Sequence, residues 1–273
     1  MNFGYVCTNY NNTAFTGEAV RSLAANSGHR FHVVVVDNNS DTTNVDLLRK
    51  FAAQYPDVEL VLNSSNVGYF AGLNAGIAHL RARHPQVSVM AIGNNDLIFP
   101  PDFGARLEEN LSRFDAHAVV SPDVVTLDGV HQNPHVIANI SKLREIVYDV
   151  YYLNYHLAKL IGRVARLTRL FTDRSDETQW RIARPIYQGH GSCYIIGPRF
   201  FQHFSELWAP TFLMGEEFFL SKQLADQGMQ VYYEPAIRVQ HHCHAAVGSL
   251  PGRRMWEIAK VAHKLYRQHV RIL

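Results

Sequence analysis

The stretch Val87-Ser88-Val89-Met90-Ala91-Ile92-Gly93-Asn94-Asn95-Asp96 decides how this chain is read. Val87 to Ala91 is apolar but for one Ser and reads as a buried strand. A polar Asn-Asn-Asp then stands where that strand should end. In open α/β sheets, ligands bind outside the carboxyl ends of the strands. A lone carboxylate flanked by amides at such a point suits a divalent metal held together with a phosphorylated ligand. The same three residues also suit a plain turn, because Asn and Asp bond their own nearby backbone.

Working outward, strands alternate with helices of about a dozen residues. Phe3 to Thr8 reads as a first strand, followed by a helix over Phe15 to Ala25. Phe31 to Val36 carries four consecutive valines and ends at Asp37; a run apolar on both faces is what a central parallel strand requires. Val45 to Tyr55 is a helix, Val58 to Leu62 a third strand and Phe70 to Arg83 a helix. Val87 to Ile92 and Ala118 to Ser121 follow as strands. This order implies an α/β chain with a mostly parallel, Rossmann-like sheet flanked by helices and right-handed crossovers.

The alternation stops near Asp128. Ile140 to Phe171 reads as one or two long helices rich in aromatic and basic residues. Ser192 to Ile196 and Val231 to Val239 return to strand character. Glu216-Glu217 opens a helix that Gly228 could end, and Met255 to Val270 reads as a basic C-terminal helix. No linker rich in Gly, Pro or Ser divides the chain. One domain over 1–273 is therefore expected, with a regularly alternating half over 1–125 and a second half over 126–252 wrapped on it. Residues 140–175 would be a helical insertion and 253–273 a terminal helix.

Composition is ordinary for a globular protein, and the formal net charge of +2 points to no polyanionic partner. The basic tail lacks a groove-reading motif, so nucleic acid is not an expected partner. Cys7, Cys193 and Cys243 are widely spaced, which fits reduced thiols in the cytosol better than a disulfide framework. The sequence enters a strand almost at once, which leaves no room for a signal peptide. No apolar run approaches the roughly 20 residues needed to span a bilayer. Lys142 to Arg174 and Arg253 to Arg271 nevertheless interleave cations with Tyr, Leu and Trp. Such helices either lie on an anionic membrane surface or pack their apolar faces on the sheet.

Four polar motifs fall at the ends of the first four expected strands: Asn9-Tyr10-Asn11-Asn12, Asp37-Asn38-Asn39-Ser40-Asp41, the segment Asn66 to Gly76, and Asn94-Asn95-Asp96. Any one could cap a helix; four along one edge describe a ligand-binding edge more economically. In the third, Gly68, Gly72 and Gly76 span a strand-to-helix junction. They either let backbone approach a phosphate at a helix N-terminus or permit close helix packing. The spacing is neither a P-loop nor a dinucleotide fingerprint.

Taken in order, the motifs resemble the family 2 glycosyltransferases of the GT-A fold. The elements are Val33 to Asp41, Asn66-x-Gly68-Tyr69-Phe70-Ala71-Gly72-x-Asn74-x-Gly76, Asn94-Asn95-Asp96, Gly191 to Ile196, Gly215-Glu216-Glu217 with Leu220 and Gly228 downstream, and Val239-Gln240-His241-His242. They cover roughly residues 3 to 245. Within the family, the chain is most similar to bacterial members that build surface polysaccharides such as O-antigen or capsule.

The resemblance implies an inverting transfer of a hexosyl or deoxyhexosyl group. The donor would be a nucleotide-diphosphate sugar and the acceptor a saccharide or a lipid-linked saccharide. It implies that Asn11, Asp37, Asn39, Asn66, Gly68, Asn74, Asn94 and Asn95 line the donor site. Asp37 would read the base or ribose, and Asp96 with His241 would hold a divalent Mn or Mg on the diphosphate. Glu217, beside Glu216, stands at the position of the catalytic base. The chain departs from the family's pattern twice, with Asn for the first Asp of the metal motif and Glu for Asp at the base position.

These residue types suit the chemistry: a carboxylate can deprotonate an acceptor hydroxyl, and a divalent ion can support a departing diphosphate. Adjacent Glu216 and Glu217 point about 100° apart on a helix and should not share a role. A nucleotidyltransferase is the first rival, but Asn9 to Thr16 has no Lys or Arg for a phosphate loop. A non-catalytic sugar-nucleotide or carbohydrate-binding module is the second, and it would have no need of Glu217. His242 and His244 add no closed zinc set beside Cys243. His190, in Gly189-His190-Gly191, faces an acceptor or is a loop residue without a role.

Overall fold

The valines 33 to 36 set the layering. Successive side chains of a strand point to opposite faces. Val33 and Val35 therefore pack into one core, and Val34 and Val36 into another on the far side of the sheet. The computed structural model describes residues 1–168, 175–243 and 252–271.

Its strands are β1 (Asn2–Asn9), β2 (Arg30–Asp37), β3 (Val58–Leu62), β4 (Met90–Asn94), β5 (Leu97–Ile98), β6 (Val119–Thr126), β7 (Arg184–Ile186), β8 (Cys193–Ile196) and β9 (Val231–His241). They form one sheet in the order β3-β2-β1-β4-β8-β6-β9-β5, with β7 paired to β9. Strands β1, β2, β3, β4, β6 and β9 run one way, and β5, β7 and β8 run against them. The sheet is thus mixed and mostly parallel, as expected.

The helices are α1 (Thr13–Ala24), α2 (Thr42–Ala52), α3 (Tyr69–Arg83), α4 (Phe103–Glu109), α5 (Leu111–Ala116), α6 (Lys142–Leu153), α7 (Tyr155–Thr168), α8 (Pro198–His203), α9 (Glu216–Ala225) and α10 (Gly252–Tyr266). Ala19, Val20 and Leu23 of α1, Leu48 of α2 and Phe103 and Leu107 of α4 join the core of one face. Phe70, Leu73, Ile77 and Leu80 of α3, Phe200 of α8 and Leu220 and Leu224 of α9 join the other. Helix α3 lies unusually near its strands: a Cβ on Gly76 would stand 2.4 Å from Val6 Cγ1 and 2.7 Å from Val36 Cγ2. Helix α9 ends as expected at Gly228. Its φ is +68°, and Met229 N–H bonds the Leu224 carbonyl while Gly228 N–H bonds that of Ala225, a Schellman closure.

Two differences from the sequence reading position the site. Strand β4 begins later than expected and runs through Asn94, which pairs in register with Thr8 of β1. A two-residue strand, β5, follows Asp96 at once and sets Leu97 opposite His241 of β9. The 140–171 region forms two helices, α6 and α7; its last residues lie outside the described ones. Acidic Glu145 of α6 is buried and Asp149 partly exposed, and Arg267, just past the end of α10, bonds both, at 2.8 Å and 2.6 Å. Trp256 Nε1 donates to the Tyr151 carbonyl at 3.1 Å. Among the described residues, no helix is long and apolar enough to cross a membrane.

Candidate active site

Parallel register brings the strand-end motifs together. Asn9 pairs with Asp37 across β1 and β2, Thr8 with Asn94, and Asp37 with Leu62. Parallel strands end on the same side of the sheet, so the four motifs crowd one edge.

Much of that polarity is spent internally. Asp37 is buried and accepts three bonds: from Asn9 Nδ2 at 2.8 Å, Ser40 Oγ at 2.6 Å and Ser40 N at 2.9 Å. It fixes the β2–α2 turn, with Oδ1 taking two of these bonds and Oδ2 one. Asn95, also buried, donates to Asn12 Oδ1 and Thr16 Oγ1 at 2.7 Å and to Asn9 Oδ1 at 3.2 Å. It ties the end of β4 to the start of α1. The carboxamide of Asn74 clasps both backbone groups of Leu207, at 2.8 and 2.9 Å.

Gly68 also lies against protein. Its φ is +91°, and a Cβ there would stand 2.2 Å from the Phe212 carbonyl oxygen. The close approach is to protein, and the same carbonyl accepts Tyr69 N–H at the start of α3. Asn66 Oδ1 holds Gly68 N–H at 3.0 Å.

The residues left facing outward at this edge are Asn11 and Asn39, both exposed and both with positive φ (54° and 63°). Asn11 is anchored on either side: its N–H donates to Ser40 Oγ and its Oδ1 accepts Asp41 N–H, each at 2.8 Å. Non-glycine residues in the left-handed region are uncommon and cluster where ligands bind.

Asp96 and His241 are both buried, with Asp96 Oδ1 3.3 Å from His241 Nε2. Gln132 Oε1 lies 2.7 Å from His241 Nδ1. An amide oxygen only accepts, so Nδ1 carries a proton, and Nε2 is the ring atom that faces Asp96. A carboxylate oxygen and an imine lone pair repel unless a cation or a proton lies between them. Asn94 Nδ2, 3.3 Å from the same Nε2, completes the group. The donor set fits a hard divalent ion that takes two protein ligands and fills its shell with phosphate and water oxygens. Among the described residues, no three His, Cys, Asp or Glu converge as an all-protein cage. His242 turns instead to Glu18, 2.7 Å away, and His244 lies outside the described residues.

The base candidate stands across β8. Antiparallel pairing sets Gly93 against Cys193, and Asn94 N–H bonds the Ser192 carbonyl at 2.9 Å. This bond brings the 189–191 loop to the end of β4, and Glu217 Oε1 would be 2.5 Å from a Cβ on Gly191. The 189–191 loop is held by Tyr194 OH on the Gly189 carbonyl and Tyr69 OH on that of Gly191, each at 2.8 Å. Burial raises both phenols well above their ordinary range. His190 Nδ1 meets Ser192 Oγ at 2.8 Å, and its ring centroid is 5.6 Å from that of His241.

Glu216 and Glu217 open α9, and Gly215 before them has φ +82°. They diverge as adjacent helical residues must: Glu216 is buried and Glu217 half-buried. Burial first, and the Glu217 charge second, push the Glu216 carboxyl up to about 8. Unfolded, Glu216 loses its proton at ordinary carboxylate pH. Between there and about pH 8 the native chain holds a proton that the unfolded chain has lost, so this group's contribution to stability falls as pH rises through that window. Glu216→Gln carries no charge and should gain stability relative to the parent as pH climbs from about 5 to 9. Urea midpoints of both proteins across that range check this, and a difference independent of pH would refute it.

The sequence reading missed Thr16, Ser40 and Gln132. The spacing Asp37-x-x-Ser40 is an Asx-turn signal that could have exposed Ser40. Gln132 reaches the site through a short hairpin that bridges Val125 to His131 around Asp128-Gly129, a turn signal that could have exposed it.

Comparison with known proteins agrees with this architecture. The family described as "Glycosyl transferase family 2" matches residues 6–168, more than half of the 273 residues. The chain belongs to glycosyl transferase family 2.

Among solved structures it is similar to the mannosyltransferase PcManGT from Pyrobaculum calidifontis, solved with GDP-Man and Mn2+. Identity is 15% and the TM-score 0.57, over 96% of this chain and 61% of that one. It is also similar to S. aureus TarS 1-349 in complex with UDP-GlcNAc, at 14% identity and TM-score 0.52, over 86% of this chain and 58% of that one. GalNAc-T7 with UDP, GalNAc and Mn2+ matches at 14% identity and TM-score 0.52, over 88% and 44%. The family 2 chain thus shares the GT-A fold and spans about three-fifths or less of the length of these solved relatives. No curated protein matches it.

Proposed function

We propose that this chain transfers a hexosyl or deoxyhexosyl group, with inversion, from a nucleotide-diphosphate sugar to a saccharide or lipid-linked saccharide acceptor. Acceptor and product would belong to surface polysaccharide synthesis at the cytoplasmic side of the cell membrane. The observation that carries the reading is the arrangement across β4 and β8. Asp96 and His241 form one buried pair, and Glu217 stands against Gly191, next in sequence to the Ser192 whose carbonyl bonds Asn94 N–H.

In this reading Glu217 takes the proton of the acceptor hydroxyl. That oxygen bonds the anomeric carbon as the bond to the diphosphate breaks on the opposite face, which inverts the centre. Asp96 and His241 hold Mn or Mg, which supplies Lewis-acid support to the leaving diphosphate when bound. Asn11 and Asn39 stand on the nucleoside side, while Asp37, Asn95 and Asn74 hold the scaffold. Glu216 retains its proton near neutral pH and does not serve as base. Residues 1–125 form the nucleotide half and 126–252 the acceptor half. A nucleotidyltransferase gains nothing from Glu217, and a mere binding module needs no base.

The test is a panel of sugar nucleotides assayed for thermal stabilisation with and without Mn2+ or Mg2+. One donor at about a hundred times its Kd should add about 2.7 kcal/mol, with metal required for the gain. No stabilisation by any sugar nucleotide, in either metal, would reject the donor assignment.

A further inference from the structure

The acidic residues of α6 are paired with Arg267, and what they leave outside is an apolar stripe ringed by cations. Leu143, Ile146 and Leu153 recur at helical spacing on one face of α6, yet they are 66%, 47% and 69% exposed. On the next helix, α7, Leu160 and Val164 are 56% and 45% exposed. Exposed apolar residues scattered singly need no explanation; a repeated stripe over two adjoining helices does.

The charges around it are one-sided. Glu145 and Asp149 are both paired with Arg267, just past the end of α10, while Lys142, Lys159 and Arg163 are exposed. The α7 segment Tyr155–Thr168 contains no acid. The terminal helix α10 lacks this character on its packed side, because Trp256 donates to the Tyr151 carbonyl and Lys260 to that of Leu153.

We infer that the outward face of the α6–α7 pair is a docking surface for an anionic lipid bilayer. Its leucines and isoleucine would enter the headgroup boundary, with Lys142, Lys159 and Arg163 against the lipid phosphates. Interfacial helices combine an apolar face with flanking cations in this way, and each cation adds attraction that salt screens. A second protein chain would be matched by an apolar face alone; the one-signed cations favour a polyanionic surface. The inference deepens the proposed membrane-proximal acceptor and rests on that reading only for its purpose.

The test is sedimentation of the full chain with vesicles of phosphatidylcholine alone or mixed with phosphatidylglycerol, at low and high salt. Pelleting with the anionic vesicles, weakened by salt, is expected. The combined variant Leu143→Ser, Ile146→Ser and Leu153→Ser, and separately Lys159→Glu with Arg163→Glu, should each weaken partition by about tenfold or more. All altered positions are exposed, and thermal midpoints near the parent value would show that the variants fold. Failure to pellet with anionic vesicles, equal pelleting with neutral ones, or undiminished binding by the folded variants would overturn the inference. So would a dimer in sedimentation velocity that the triple serine variant dissolves. Donor stabilisation by a sugar nucleotide is read separately, so loss of the membrane surface would leave the transfer reading standing.

Discussion

Glu217→Gln lowers kcat by about 10²–10⁴-fold, the usual worth of a positioned general base, while donor affinity stays near the parent value. The substitution keeps the size of the side chain and removes its basicity. Glu216→Gln provides the comparison, because burial and the neighbouring charge already keep Glu216 protonated near neutral pH; its kcat should change little.

Gly191→Ala tests the geometry. The new Cβ would stand 2.5 Å from Glu217 Oε1 and 3.0 Å from its Cδ. The far end of a flexible side chain can yield, so the fold should survive while the carboxylate is displaced. Misplacement of a reacting group by about 1 Å can cost roughly 10²-fold. Steady-state kinetics on the three variants, with urea midpoints as a control for folding, decide the assignment. A large loss in Glu216→Gln with none in Glu217→Gln would exchange the two roles.

The layering was legible in the sequence because it follows from local pattern. Four valines in a row can only be buried on both faces of a strand, and 33 to 36 are. The strand-end asparagines were legible for the same reason, since each directly follows an apolar run. What each asparagine bonds was not. Asn95 and Asn74 read as ligand contacts, yet their amides meet protein partners 79 to 86 and 133 residues distant in sequence.

The glycine run left two readings open, and local pattern could not choose between them. Gly68, Gly72 and Gly76 allow close approach, as any glycine does, but the approaching atoms belong to Phe212, Thr8 and Val6. The pairing of Asp96 with His241 depends on β5, two residues long and too short to leave a periodicity. Family resemblance supplied that pair; periodicity could not.

Asp96→Ala should reduce transfer by about 10³-fold or more, since a Lewis acid at a leaving group is worth several kcal/mol and each 1.4 kcal/mol is about tenfold. The reason lies in what surrounds the carboxylate. If Asp96 and His241 were only a structural ion pair, the ring would be doubly protonated. Asp96→Asn would then lower stability, and added Mn2+ would leave the thermal midpoint unchanged. If the pair holds a metal, Mn2+ together with a sugar nucleotide raises the midpoint of the parent, and Asp96→Asn loses that rise. Gln132→Leu separates the cases further. It removes the acceptor 2.7 Å from His241 Nδ1 and touches neither metal nor substrate. Loss of such an outer partner costs about 10–100-fold in metal affinity, so added Mn2+ should restore much of its activity. Full activity of Asp96→Ala, or undiminished turnover of the parent in excess chelator, would remove the metal from this site.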